Sequence, residues 1–261
     1  MRDRPLEAWP DALERACAQT RHIRQVRVLR ETASTQDAAL ACKVDGGLLV
    51  TAGRQTAGRG RLGSAWADTA SLGVACTFVV PTRTVEALSI GAAVAVARAA
   101  RDALPAEQVE RVGLKWPNDL LARCGDGALR KLAGVLIEVR EGRALIGVGI
   151  NVLQSGFPDD LGDRAVSLAQ LGSVADRLQV IEHLLLRMDE ALSMEPVALA
   201  ARFTELDRTV GLRLRFQSVS GPVEGVVLRC DAMRGLEVRT GDGPVWLPAA
   251  TTRVEAGVWG D

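Results

Sequence analysis

The chain has 261 residues, 48% of them hydrophobic and 25% charged, with 32 basic against 32 acidic side chains. That composition belongs to an ordinary globular protein and excludes a disordered or fibrous chain. A net charge of zero gives no global field to draw the chain onto nucleic acid or an anionic membrane.

In chain order, residues 11–20 read as a short amphipathic helix and 25–30 as a strand, followed by a turn where Ser34 and Thr35 suit the cap of a helix running through Cys42. LLVTAG at 48–53 is a strand, and SLGVACTFVV at 71–80 is a nearly continuous apolar run, as expected of a strand buried on both faces. The Ala-rich segment from Val85 to Leu104 has a helical pattern and the length to be the main helix on a sheet. VGLKW, DLLAR, LAGVLIEV and RALIGVGINV, separated by turn residues, are expected to be consecutive antiparallel strands. Residues 177–193 and 196–206 return to a helical period. Beyond Asp207 the short strands LRLRF, VEGVVLR, LEVRT and PVWL suggest a small barrel. The expected class is therefore α+β: a central mixed or antiparallel sheet flanked by helices over 1–208, then a small C-terminal barrel over 209–261.

Lys43, Lys115 and Lys131 are the three lysines; every other basic residue is arginine, and tyrosine is absent. Such a compositional drift leaves most arginines uninformative and makes the surviving lysines the ones to question. Five dispersed cysteines without a CxxC point to reduced thiols rather than a disulfide framework or zinc site. The N-terminus lacks a signal-like apolar core, and the longest apolar stretch is interrupted by Arg98, so a cytoplasmic location is expected.

Four segments carry chemistry. The first is GRQTAGRGRLGSAW at 53–66. Its Gly58–Gly63 stretch matches the dinucleotide fingerprint in letters, but no helix opens after it and no acidic residue ends a following strand, so that reading fails. What remains is a loop that offers backbone amides at Gly58, Gly60 and Gly63 together with the guanidinium forks of Arg59 and Arg61. It suits a carboxylate or phosphate bound close to the main chain, against the plainer alternative of a solvated basic loop. The second segment, LKWPND at 114–119, places Lys115 at a strand end, with Asn118 and Asp119 behind a Trp-Pro turn. That arrangement fits ATP phosphates and Mg²⁺, the alternative being an Asx-type turn with Lys115 in solvent. The third and fourth, RKLAGVLIEV with Lys131 and Gly134 and GVGIN with Gly147, Gly149 and Asn151, leave glycine gaps in strand faces that suit the floor of a slot for something flat or chain-like. His22 and His183 stand apart from any nucleophile or second metal ligand, and no nucleophile–base pair is visible.

ST at 34–35, Q-x-x-GRGRxG-x-x-W at 55–66, KWPND at 115–119, KLAG at 131–134 and GxGIN at 147–151, in this order and spacing, closely resemble the biotin–protein ligases, the biotin–[acetyl-CoA-carboxylase] ligases. The resemblance spans about residues 25–260. It implies a biotin/lipoate ligase-like catalytic domain with a C-terminal SH3-like barrel. It also implies activation of biotin by ATP to biotinyl-5′-AMP with release of pyrophosphate, and transfer of the biotinyl group to one lysine of a biotin carboxyl carrier domain. The resemblance casts Ser34, Thr35 and Gln55 as partners of the ureido head, with Gly58 and Gly60 contributing backbone, and Gly134, Gly147 and Gly149 lining the slot. Arg59 and Arg61 would close over the intermediate, and Trp66 would pack the ordered loop. Lys131 would meet the biotin carboxylate and α-phosphate, Lys115 the outer phosphates, Asn118 and Asn151 the nucleotide, and Asp119 a Mg²⁺ ion.

Two departures from the family pattern matter. Some members stack adenine on a tryptophan where this chain has Ala165. Many bacterial members carry an N-terminal winged helix-turn-helix, whereas 33 residues precede Ser34 here, so a repressor role and nucleic-acid binding are not expected. The alternatives are a lipoate–protein ligase, or a noncatalytic nucleotide- or biotin-binding regulator. Whether the chain is a monomer or a homodimer is not encoded in any motif.

Overall fold

The computed structural model describes residues 3–60, 65–67 and 71–255. A seven-stranded mixed sheet is built from β1 (Gln25–Thr32), β2 (Leu48–Gln55), β5 (Gly73–Pro81), β6 (Val112–Lys115), β7 (Asp119–Arg123), β8 (Leu129–Arg140) and β9 (Arg143–Asn151) in the order β1-β2-β5-β9-β8-β7-β6. The parallel pair β1–β2 is joined through helix α2 (Thr35–Ala41), and all other neighbours are antiparallel. The four strands expected after Leu104 thus form as a meander, because each connection is short enough for a tight turn. A two-residue hairpin of β3 (Gly58–Arg59) and β4 (Ala65–Trp66) stands apart from the sheet.

Helices α1 (Trp9–Cys17), α3 (Val85–Asp102), α5 (Arg177–Ser193) and α6 (Pro196–Leu206) cover one face. α1 begins two residues earlier than the sequence pattern suggested, because Pro10 is tolerated in a first turn, where its missing N–H has no helical partner to lose. α3 is the central helix: ten of its residues from Leu88 to Ala100 are buried hydrophobics, most of them alanine, whose small side chains let α5 and the sheet approach closely. A short α4 (Asp159–Gly162) follows β9 and is too brief to leave a period in the sequence. Among the described residues no helix is long and apolar enough to cross a membrane.

Strand alternation decides what faces where. Ala144, Ile146, Val148 and Ile150 of β9 enter the main core under α3, while Leu145 packs with Ala39 of α2 on the opposite face. With a side-chain period of two, Gly147, Gly149 and Asn151 share that opposite face, and across the ladder Gly149 pairs with Gly134 of β8 and with Ala75 of β5.

The C-terminal strands β10 (Arg213–Ser218), β11 (Gly221–Asp231), β12 (Gly235–Thr240), β13 (Gly243–Pro248) and β14 (Arg253–Val254) form one antiparallel sheet ordered β13-β12-β11-β10-β14. Its inward residues Leu214, Phe216, Val227, Leu236, Val238 and Leu247 belong to the same hydrophobic cluster as α3. The joint is polar as well: Arg208 N donates to Leu114 O at 2.7 Å, and the Trp116 backbone N donates to Thr209 Oγ1 at 2.8 Å. The Trp116 indole Nε1 donates to Ala232 O at 3.2 Å, with both Trp116 and Thr209 buried. Thr209→Val leaves the buried Trp116 N–H unsatisfied, so unfolding free energy from urea titration should fall by about 1–3 kcal/mol; an unchanged midpoint and slope would show that this joint carries no stability.

Candidate active site

The face of the sheet opposite α3 opens into a cleft of about 340 Å³. Ser34, Thr35, Gln55, Arg59, Gly60, Lys115, Asn118, Asp119, Lys131, Gly134, Gly147, Gly149 and Asn151, all singled out in the sequence, line it. Gly58 is not among the lining residues; a Cβ there would strike the Gln55 amide and the Trp66 backbone. Arg61 and Gly63 fall outside the described residues.

One end of the cleft is polar and neutral. Thr35 donates to Gln55 Oε1 from its backbone N at 2.8 Å and from Oγ1 at 3.1 Å, and Thr77 Oγ1 reaches Thr35 Oγ1 at 2.9 Å. Ser34 occupies the N-cap position of α2, yet its side chain makes no capping bond. The local expectation that Ser34 and Thr35 serve as helix caps is therefore corrected: Ser34 holds the N-cap position without a side-chain bond and lines the cleft, and Thr35 is tied to Gln55.

The floor is a trough of small residues. Ala75, Gly149 and Gly134 lie in register across β5, β9 and β8, with Asp119 of β7 next in line. The chain covers part of this floor itself, which refines the expectation of a bare glycine slot. A Cβ at Gly149 would run into the Trp66 indole, one at Gly134 would lie 3.4 Å from Trp66 Cζ3, and one at Gly147 would meet the Gln36 amide at 2.9 Å. Glycine is required here by close approach, not by φ. Gln36 is held over Gly147 by a 3.3 Å bond from Nε2 to Leu136 O.

The other end is charged. Lys131 Nζ sits 2.5 Å from Asp119 Oδ1 and 5.8 Å from the Trp66 ring centroid. Lys115 is only 2% exposed, which sets aside the alternative of a solvated surface lysine at a turn. Asn118 and Asn151 act partly as struts. Asn118 Nδ2 donates to Val135 O, tying the turn to β8, and Asn151 Nδ2 donates to Lys131 O at 3.3 Å and Val166 O at 3.1 Å. These bonds fix the strand that presents Lys131. Arg59 makes a bidentate pair with Asp37 at 2.7 and 2.8 Å, with Glu138 3.9 Å away. The Arg59 hydrogen bonds hold the Asp37 carboxyl below its ordinary range.

Beyond Lys131, the wall is made by Phe157, Leu161, Arg164 and Ala165 and, from the C-terminal sheet, Val254 and Glu255. Of these, sequence reading singled out Ala165 alone; it missed the others, together with Asp37, Gln36 and Thr77. The only signal for the last three was adjacency to the Ser-Thr pair, or a hydroxyl inside an apolar strand run. Among the described residues no group of three or more His, Cys, Asp or Glu side chains is placed to hold a metal ion.

A sheet backed by helices thus carries a glycine-floored cleft with one neutral and one charged end, and a small β unit stands at its rim. Residues 27–155 match the Biotin/lipoate A/B protein ligase family. The chain is 37% identical over 212 residues, 76% of each chain, to the biotin–[acetyl-CoA-carboxylase] ligase of Mycobacterium tuberculosis. It is 31% identical over 240 residues, 85% of this chain and 70% of the relative, to the bifunctional ligase/repressor BirA of Bacillus subtilis. The biotin protein ligase of Aquifex aeolicus, solved in complex with biotin and ATP, superposes with a TM-score of 0.76 at 24% identity, covering 89% of this chain and 99% of that one. The chain belongs to the biotin/lipoate A/B protein ligase family.

Two measurements test this geometry. Gly149→Ala should drive Trp66 off the trough, raising acrylamide quenching of the fluorescence component that Trp66→Phe removes; unchanged quenching would contradict the close approach. Burial alone pushes the Cys76 thiol far up, so the reactive thiolate is scarce at pH 8. Cys76 should therefore stay unmodified by iodoacetamide in the native protein, and rapid labelling detected by mass spectrometry would show that it is accessible and ionised.

Proposed function

We propose that the protein activates biotin with ATP to biotinyl-5′-AMP, releasing pyrophosphate, and transfers the biotinyl group to a lysine of a biotin carboxyl carrier domain. The observation that carries this reading is the cleft's two-ended chemistry. A neutral hydrogen-bonding end at Ser34, Thr35 and Gln55 is joined by a glycine trough to the fixed charges of Lys115, Lys131 and Asp119. A bicyclic urea on an aliphatic chain ending in a carboxylate has the same order of parts.

The first step needs no general base, because a carboxylate with a pKa near 4–5 is already ionised at neutral pH. A carboxylate oxygen attacks the α-phosphorus, and the bond from that phosphorus to the bridging oxygen breaks, so pyrophosphate leaves. The barrier is repulsion between a carboxylate and a polyanion, and catalysis is then mostly positioning and fixed positive charge. Lys131, on the trough beside Trp66, is placed for the carboxylate and α-phosphate, and Lys115 for the outer phosphates; Asn118 and Asn151 hold their strands in place. Arg59, and Arg61 from the same loop, would close over the intermediate and keep water from it.

Asp119 fits a Mg²⁺ ion bound through a single carboxylate, since that ion usually takes one or two carboxylates and completes its shell with phosphate oxygens and water. When bound, it would neutralise phosphate charge. In the transfer step the lysine amine attacks the acyl carbon, AMP leaves and the amine loses a proton; Asp119 is a candidate acceptor for that proton.

We read residues 1–208 as the ligase unit and 209–261 as a small β unit, of SH3-like form, that props the Trp116 turn and completes the cleft wall with Val254 and Glu255. The adenine subsite would be formed by Phe157, Leu161 and Arg164 around Ala165. A cytoplasmic location agrees with ATP and a biotin carboxyl carrier domain as the substrates.

Biotin should support ATP–pyrophosphate exchange and lipoate should not; exchange with lipoate alone would overturn the assignment. Lys131→Ala should lower biotin-dependent exchange by about 10²–10³-fold, the range for loss of one fixed electrostatic donor, with thermal unfolding little changed. Near-normal exchange in that variant would remove Lys131 from the mechanism.

A further inference from the structure

Gln36 carries a buried amide that the head-group contacts named above do not use. It stands in the first turn of α2 beside Thr35 and is only 5% exposed, yet it lines the cleft. The Leu136 carbonyl oxygen, 3.3 Å away, can only accept. The amide atom that meets it is therefore the nitrogen, and the other arm of the amide is Oε1. The amide lies flat on β9: a Cβ at Gly147 would come within 2.9 Å of Cδ and 3.2 Å of both Nε2 and Oε1.

Gly147 stands in register between Leu136 of β8 and Thr77 of β5. With Nε2 bound on the β8 side, Oε1 is turned away from β8, toward the side where Thr77 Oγ1 meets Thr35 Oγ1 at 2.9 Å. Among the described residues Gln36 Oε1 has no hydrogen-bond partner. The neighbouring amide oxygen differs, because Gln55 Oε1 already takes two donors from Thr35, at 2.8 and 3.1 Å. The neutral end thus holds one rigid, nine-tenths buried acceptor that is still open. A buried acceptor left empty is costly, so the position favours a ligand that brings a donor.

We propose that Gln36 is a specificity-determining residue that accepts, through Oε1, a hydrogen bond from one ring N–H of a cyclic urea. The inference rests on the biotin reading above and deepens it by naming a further contact of the same site. A cyclic urea carries one accepting oxygen and two flanking N–H donors, so its recognition needs acceptors as well as donors. Gln36 supplies an acceptor whose direction is fixed by the bond to Leu136. A ring acid without an N–H, such as a dithiolane, leaves that oxygen unpaired, and a polar site discriminates most strongly against ligands of that kind.

The test is the dissociation constant, measured by isothermal titration calorimetry, for wild type and for Gln36→Met, which keeps the length and bulk and removes the amide. The ligands are biotin and its two cyclic carbamates, in each of which one ureido N–H is replaced by a ring oxygen. Q36M should weaken biotin binding about five- to tenfold, which is about 1–1.4 kcal/mol at 1.4 kcal/mol per decade. The carbamate that lacks the N–H facing Oε1 cannot make the bond even to wild type, so Q36M should bind it no more weakly than wild type does. With the other carbamate the loss should persist. The KM for ATP in pyrophosphate exchange should stay within twofold.

An unchanged Kd for biotin in Q36M would overturn the proposal. So would one common factor for biotin and both carbamates, since that is the mark of lost packing over Gly147 and not of a lost bond. If Q36M does not melt cooperatively, Gln36→Leu takes its place under the same criteria. If wild type does not bind biotin, the functional reading falls and carries this inference with it, and the wild-type titration shows that before any variant is compared.

Discussion

The constraint on which the site depends is the two-sided use of β8 and β9. On one face these strands supply Val135, Val148, Ile146 and Ile150 to the core beneath α3, and this burial, at roughly 25 cal/mol per Å² of apolar surface, fixes their register. On the other face the same register sets Gly134 opposite Gly149 and carries Lys131 and Asn151 to the ends of the trough. A slip of one residue would send the valines into the cleft and the glycines into the core. The core that stabilises the fold therefore also positions the floor of the site.

The trough then organises what lies on it. Because Gly134 and Gly149 lack side chains, the Trp66 indole can settle beside Lys131, and because Gly147 does, Gln36 can lie flat over β9. The chain thus brings an aromatic face, an ammonium and an amide to one surface without burying an unpaired charge, since Asp119 neutralises Lys131. From the far side the C-terminal sheet contributes through the buried Trp116 joint and through Val254 and Glu255, so the site is closed by residues from nearly the whole length of the chain.

Local and periodic signals carried much of this. Alternating and continuous apolar runs give the strands from β5 to β9 nearly residue by residue, since a half-buried strand must alternate. Lysine scarcity singles out Lys115 and Lys131, both of which lie in the cleft, while Lys43 is exposed and nothing in the structure gives it a task. Elements shorter than a repeat, such as α4 and the β3–β4 hairpin, leave no period to read. Contacts distant in sequence, such as Arg59 with Asp37 or Thr209 with Trp116, join residues whose types alone do not specify a partner.

The sequence by itself determined the class of the fold, the membership of the cleft floor and the chemical character of its two ends, because these follow from side-chain period, glycine placement and residue type. Only the tertiary structure decided which glycines are covered by Trp66 and Gln36, and that Lys131 is held by Asp119. It also decided that the C-terminal sheet reaches the cleft and that Thr77 stands behind Thr35. Those are matters of distance and hydrogen-bond direction between strands and loops, set by packing in three dimensions and not by any local pattern.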